Sequence, residues 1–267
     1  MYGGDLREFG DFFDFHPYCD TQFYPPVLDH LLPGARRLVP TLLGEFNDVD
    51  VHRELPRVAS AAPYWASDDP DLNAQGVRWQ YDLPGVLASS RFVLAPGENR
   101  HERLLHSSVR KAAFVRKTVQ EWVRARDEIS GYVVTGWRDT PICSAGLLDD
   151  WGEPRFSPAD FTSWNGPNCL FLLPHRRPPW VSGGNRPGWA DPLNHFEGDV
   201  FLRVGLHSEG GLDGELAWDI VHSGWEGGRR PRGRVASGTC SPCQVGPLES
   251  REVGEIFWAN ALPGSYL

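Results

Sequence analysis

The chain has 267 residues, of which 40% are hydrophobic and 23% charged, and its formal net charge is −9. No apolar run approaches the roughly 20 residues that cross a bilayer, and the basic residues do not form the concentrated face that phosphate binding requires. These totals argue against membrane and nucleic-acid partners, and the length allows one large domain or two ordinary ones.

The cysteines do not predict a metal site or a disulfide framework, and the amino terminus does not have the pattern of a signal peptide. Five cysteines are an odd number in a long chain, which is not typical of a disulfide framework. Cys240 and Cys243 have zinc-type spacing, but no second pair accompanies them and zinc needs about four ligands. We therefore expect no metal. The first residues show no signal-peptide pattern, so we expect a cytoplasmic protein if Met1 is the true start.

The first half of the chain alternates between predicted strands and predicted helices. Residues 12–18 are typical of a short buried strand, and residues 25–32 of a short helix that begins with proline. The apolar run 38–43 predicts a strand buried on both faces. Residues 99–126 have apolar side chains at helix spacing, and residues 129–135 are a β-branched strand. This alternation predicts parallel βα units.

The composition changes after about residue 160, where proline, glycine and tryptophan become frequent. Short runs with turn signals between them follow at 200–207, 215–222 and 253–258. Side chains alternate in these runs, as in ELAWD and GEIFW, which predicts antiparallel strands of a sandwich. We place a boundary near residues 160–165, and expect domains at 1–162 and 163–267.

Polar or aromatic side chains follow each predicted strand of the first half. Because the carboxyl ends of parallel strands meet at one edge of a sheet, these side chains are expected to converge. A carboxylate, a phenol that hydrogen-bonds it and an indole that stacks on a sugar ring would form half of a glycosidase site. The three strand ends carry His16 and Tyr18, Glu45 and Asn47, and Trp137 and Asp139.

Three segments, in the order FFDFHPY, LLGEFND and ISGYVVTGWRDTPICSAGLLDDWGEPRF, resemble the last strands of the catalytic barrel of family 2 glycoside hydrolases, the β-galactosidase and β-glucuronidase group. The resemblance covers about residues 1–160. It implies that Glu45 is the nucleophile of a retaining β-glycosidase, that Tyr18 orients it, and that Trp137 forms the floor of the sugar site. His16, Asn47 and Asp139 are then expected to bind substrate.

The resemblance implies an α/β plus all-β fold, namely about the last four βα units of a (β/α)8 TIM barrel followed by an immunoglobulin-like sandwich. A complete barrel takes about 200 residues or more, and only about 160 precede the sandwich. The missing first half carries the general acid/base in that family. We therefore expect a C-terminal fragment with little activity alone, which binds carbohydrate and either an upstream polypeptide or a second copy of itself.

Two other functions stay open. A non-catalytic carbohydrate-binding or interaction module would stack sugars on exposed rings such as those of Trp180 and Trp189. A metal-dependent hydrolase would use Asp48, Asp50 and His52, whose spacing of two residues puts all three on one face if the segment is a strand.

Overall fold

The computed structural model describes residues 10–35, 39–67, 69, 71, 99–173, 175–177, 189–191, 194–222, 233–264 and 266. This part of the chain is mixed α/β with several sheets. None of its helices is long and apolar enough to span a membrane. The helices are α1 (Tyr24–Ala35), α2 (Leu55–Ser60), α3 (Arg100–Arg124) and α4 (Pro158–Asn165), with 3-10 turns at Thr21–Phe23 and Tyr64–Ala66. The strands are β1 (Phe13–Phe15), β2 (Thr41–Phe46), β3 (Ile129–Val134), β4 (Asn168–Leu172), β5 (His175–Arg177), β6 (Trp189–Asp191), β7 (Val200–Ser208), β8 (Leu212–His222), β9 (Gly233–Val245) and β10 (Glu249–Trp258).

The first three strands form a parallel sheet in the order β1-β2-β3, which confirms the predicted parallel arrangement. Helix α1 connects β1 to β2, and α3 lies between β2 and β3 in the chain. The inward side chains of β2, Leu43 and Phe46, pack with Leu28 of α1 and with Val119 and Val123 of α3. The sheet and its two helices thus share one apolar core.

The prediction that β2 is buried on both faces is wrong for the described residues. Leu43 and Phe46 are fully buried under the helices, whereas Leu42 and Gly44 on the opposite face are only partly buried. On that same face Val133 of β3 is 57% exposed. The run lacks an alternating pattern because the less covered face is also apolar, and not because two layers cover it.

The longest helix, α3, confirms the prediction for residues 99–126. Its N-cap is Asn99, whose side chain accepts hydrogen bonds from the amides of His101 and Glu102. The buried stripe includes Ala112, Val119 and Trp122, at the spacing that one helix face requires. The helix therefore packs with α1 against the parallel sheet.

The remaining strands form antiparallel sheets in the orders β10-β7-β4, β8-β9 and β5-β6. Side chains of the first two sheets meet in a shared core that contains Val204, Ile220 and Ile256. Trp218 and Trp258 pack against this core, as their alternating patterns predict. The predicted strands at 200–207, 215–222 and 253–258 correspond to β7, β8 and β10, whereas β4, β5, β6 and β9 were not predicted.

Helix α4 lies at the predicted boundary between residues 162 and 163. Trp164 is buried and its ring lies edge-on to Phe161 at 4.7 Å between ring centres. Just beyond the helix, the buried guanidinium of Arg124 donates to the carbonyls of Gly166 and Pro167. The boundary therefore falls within a packed helix, and the division into two domains stays a prediction.

Candidate functional site

The strongest contact between predicted site residues joins Tyr18 and Glu45. Glu45 lies near the end of β2, and Tyr18 follows β1 after Pro17. The phenol Oη of Tyr18 donates a hydrogen bond of 2.5 Å to Oε2 of Glu45. Both side chains are about half exposed. This hydrogen bond raises the pKa of Tyr18 to about 12, so the phenol is a neutral donor at neutral pH.

His16 lies beside the same carboxylate. Its Nδ1 is 3.6 Å from Oε2 of Glu45, which is an ion-pair distance for a protonated ring and too long for a good hydrogen bond. Its Nε2 is 3.2 Å from Oδ2 of Asp14. The end of β1 thus places an imidazole and a phenol next to the carboxylate at the end of β2.

Trp137 follows β3 at the same edge of the sheet, since Val134 of β3 is paired with Phe46 of β2. Its carbonyl accepts a hydrogen bond from the amide of Leu148 at 3.0 Å, which fixes its backbone. The side chain is 73% exposed. The loop therefore presents a free apolar ring on a fixed main chain.

Asn47 and Asp139, which are predicted to bind substrate, are both buried. The Asn47 side chain is directed into the fold, where its amide nitrogen donates to the carbonyl of Arg116 at 3.0 Å. Asp139 is fully buried, accepts from the amide of Gly146 and pairs with Arg155. Burial raises the pKa of Asp139 more than this cation lowers it. Both side chains are thus turned away from solvent in this structure, and their substrate-binding role stays a prediction.

The three residues of the metal hypothesis do not share a strand face, because the segment after β2 is not a strand. Asp50 accepts hydrogen bonds from the amide and hydroxyl of Ser144, and His52 Nε2 lies 3.1 Å from Nδ1 of His101. Asp48 is partly buried, which raises its pKa. Within the part of the chain that the structure describes, no three His, Cys, Asp or Glu residues are arranged to hold a metal ion.

The zinc-type pair also has another explanation. Cys240 and Cys243 are buried in β9, and Cys243 packs in a cluster with Leu206 and Val245. Both thiols are free. Of the tryptophans proposed for sugar stacking, Trp180 and the side chain of Trp189 lie outside the described residues.

Sequence reasoning missed Asp14 and a buried polar network behind the strand ends. In that network Arg53 Nη1 and Trp65 Nε1 both donate to Oδ1 of Asp150, at 2.6 and 2.7 Å. No local pattern joins residues so far apart in the chain. Asp14 did have a signal, because it shares the two-residue spacing of His16 and Tyr18 that puts side chains on one face of a strand.

A half-open cavity of about 220 Å³ lies elsewhere, between α2, α3 and the loop around Trp151. Arg57 stacks on Trp151 there, at 4.0 Å from the ring centre, and donates two hydrogen bonds to Glu153. The residues that line this cavity do not include His16, Tyr18, Glu45 or Trp137, so the cavity is not part of the candidate site.

No protein-family model matches the chain, and no curated protein matches its sequence. Among solved structures, β-D-mannosidase from Dictyoglomus thermophilum is similar, with 12% sequence identity and a TM-score of 0.45. The match covers 92% of this chain and 26% of the mannosidase chain, so the chain spans about a quarter of that enzyme's length. A score and an identity this low carry no argument about activity.

Proposed function

We propose that Glu45 and Tyr18 form the nucleophile half of a retaining β-glycosidase site that acts on O-glycosidic bonds, of the family 2 type. The observation that carries the proposal is the 2.5 Å hydrogen bond from Tyr18 Oη to Glu45 Oε2, at neighbouring carboxyl ends of β1 and β2. A phenol that binds one carboxylate oxygen leaves the other oxygen free to attack and limits rotation of the carboxylate.

In the proposed step, Oε1 of Glu45 forms a bond to the anomeric carbon of a β-glycoside while the bond from that carbon to the leaving oxygen breaks. The leaving oxygen takes the bonding electron pair. Tyr18 holds Oε2, and the exposed ring of Trp137 stacks on the apolar face of the sugar. His16 lies where it can donate to a sugar hydroxyl or to Glu45.

The proposal assigns no residue of this chain to the general acid/base. Retaining enzymes hold two carboxyl groups about 5–5.5 Å apart, one of which protonates the leaving oxygen. Asp14 is the carboxylate next to His16, but it already accepts a hydrogen bond from the amide of Gly44, so we do not assign it as the acid. Without an acid, an ordinary sugar alcohol leaves poorly, so we expect negligible turnover of unactivated glycosides by the chain alone.

An upstream polypeptide that supplies the acid is the proposed partner, and self-association is the alternative. Among the described strands, β1 and β3 each pair only with β2, so each keeps one edge for a further strand. In this proposal the three strands are the sixth to eighth of a (β/α)8 barrel, and the antiparallel sheets are an immunoglobulin-like sandwich.

The exposure of Trp137 favours a second candidate function, a non-catalytic carbohydrate-binding module. An indole that is 73% exposed can stack on a sugar without any chemistry at Glu45. The two functions differ in what they require. Binding alone needs Trp137 and tolerates Glu45→Gln, whereas covalent chemistry needs both residues.

The test is mass spectrometry after incubation with 2-fluoro-glycosides that carry a very good leaving group, across gluco, galacto and manno sugars. We expect a sugar adduct on Glu45 that is absent from Glu45→Gln and forms more slowly on Tyr18→Phe. Glu54→Gln, a change of the same kind at a carboxylate on α2's amino-terminal side, should still form the adduct. Glycan binding that needs Trp137, with no adduct from any sugar, would support the binding module instead.

A further inference from the structure

Asp14 bridges two strands of the parallel sheet at the candidate site. Its Oδ1 accepts a hydrogen bond of 2.9 Å from the amide of Gly44, and its Oδ2 lies 3.2 Å from Nε2 of His16. Gly44 immediately precedes Glu45. One carboxylate on β1 therefore contacts both the peptide that leads into Glu45 and the imidazole that faces it.

The glycine at position 44 makes this contact possible. A Cβ on Gly44 would lie 2.4 Å from Oδ1 and 2.7 Å from Oδ2 of Asp14, closer than real Cβ atoms approach other heavy atoms. The backbone of Gly44 is not in the left-handed region, so an alanine there meets no backbone strain. Close approach of the Asp14 carboxylate is thus what position 44 must allow.

We propose that Asp14 is a positioning residue that fixes the end of β1, with His16 and Tyr18, against Glu45. The side chain of Asp14 is 43% exposed, so water competes for its hydrogen bonds and they add little to global stability. Their main effect is geometric. The catalytic consequence rests on the proposed function of Glu45, whereas the geometric role does not.

The pairing of Asp14 with Gly44 allows a sharp test with Asp14→Ala, Gly44→Ala and the double variant. The control is Asp11→Ala, which removes an exposed aspartate that precedes the same strand. Fluorotyrosine is incorporated, and the ¹⁹F resonance of Tyr18 is assigned with Tyr18→Phe. Its shift and titration report the hydrogen bond to Glu45 without requiring activity. The rate of Glu45 labelling by the 2-fluoro-glycoside is measured in parallel.

Both single variants are expected to move the Tyr18 resonance, to lower its pKa toward that of a free phenol, and to slow labelling by about 10- to 100-fold. The double variant should be no slower than Asp14→Ala alone, because Gly44→Ala disturbs a contact that Asp14→Ala already removes. Asp14→Asn, which keeps an oxygen acceptor for the Gly44 amide, should lose less. Asp11→Ala should match the unmodified chain.

An unchanged Tyr18 resonance and titration in Asp14→Ala would overturn the proposal, as would effects of the two single changes that multiply in the double variant. If the unmodified chain is not labelled at all, the proposed function fails. The fluorine resonance then decides the positioning role on its own.

Discussion

The parallel-sheet region, residues 10–166, and the antiparallel region, residues 167–266, are stabilised differently. The pairs Arg53–Asp150 and Arg155–Asp139 of the parallel-sheet region are buried. The pairs Arg203–Glu252 and Arg234–Asp219 of the antiparallel region lie on strand surfaces and are largely exposed. Among the described residues, the parallel-sheet region thus has two fully buried ion pairs beneath its strand ends beside its surface pairs, whereas these two pairs of the antiparallel sheets lie at the surface.

The difference follows from what each region must hold. Antiparallel strands satisfy one another's backbone groups, and alternation supplies the apolar core, so no buried charge is needed. The segment after β2 is not a strand and the segment after β3 forms only isolated bridges, so buried side chains add to the few backbone hydrogen bonds there. Arg53, for example, donates to the carbonyls of Thr140 and Cys143. Definite loop conformations at the candidate site therefore depend on buried polar groups.

The largest expected effect tests the buried charges. Asp139→Ala leaves Arg155 buried without its carboxylate and should lower the free energy of unfolding by about 4 kcal/mol. The measurement is urea unfolding at neutral pH. Glu252→Ala, which removes a carboxylate from an exposed pair, should cost at most about 1 kcal/mol. Equal losses from the two changes would remove the contrast between the regions.

The apolar core of the antiparallel region gives the next effect. Ile256→Ala should cost about 3 kcal/mol, because it opens a cavity beside Val204 and Ile220. Phe257→Ala, the next residue on the outward face of β10, should cost less than about 1 kcal/mol. The fluorine resonance of Tyr18 should be the same in both folded variants. A moved resonance would show that the core of one region sets the geometry of the other.

A smaller effect tests the joint between the regions. The hydroxyl of Ser250, on β10, donates to the carbonyl of Arg124 at the end of α3 and lies 2.8 Å from Nδ1 of His207. Ser250→Ala should cost about 1 kcal/mol in urea unfolding. The matched change at the exposed Ser237 of β9 should cost nothing measurable. Loss of a single cooperative transition in Ser250→Ala alone would show that this bond couples the two regions.

The smallest effect concerns pH. The pKa of Tyr18 is raised from 10.0 to about 12 in the folded chain, chiefly by its hydrogen bond to Glu45. The hydrogen bond of Tyr18 therefore contributes fully to stability below pH 10, and this contribution is lost as the pH rises from about 10 to about 12. Stability measured across this window should fall more steeply for the unmodified chain than for Tyr18→Phe. Parallel curves would mean that the hydrogen bond is absent in solution.

Local patterns were enough for β1 to β3, α1 and α3 of the parallel-sheet region, but helix α4 was not predicted. Proline at the start of α1, helix periodicity in α3 and β-branching in β3 each report a local preference. Strand β9 was missed because its inward side chains are small, as with Ala236 and Gly238, so the alternation carries little hydrophobic signal. Strand β4 was missed within a segment rich in proline and glycine.

For the candidate site, the order of strand ends predicted which residues are near one another but not which are accessible. Tyr18, His16 and Glu45 meet because parallel strands bring their ends together. Asp139 has the same position relative to its strand, yet it turns inward to Arg155. The inward orientation of Asp139 depends on the guanidinium of Arg155, which lies in a later loop, and no spacing in the sequence predicts this contact.

Strand β1 has only three residues and lies at the edge of the described sheet. Such a strand opens locally without global unfolding, so its amides should exchange with solvent hydrogen faster than those of β2. His16 and Tyr18 leave Glu45 whenever β1 opens, so the affinity of the proposed site for a sugar would be reduced to the fraction of time that the strand is closed. Slower amide exchange at Phe13–Phe15 is therefore the first sign expected when a ligand, or a neighbouring strand, closes the site.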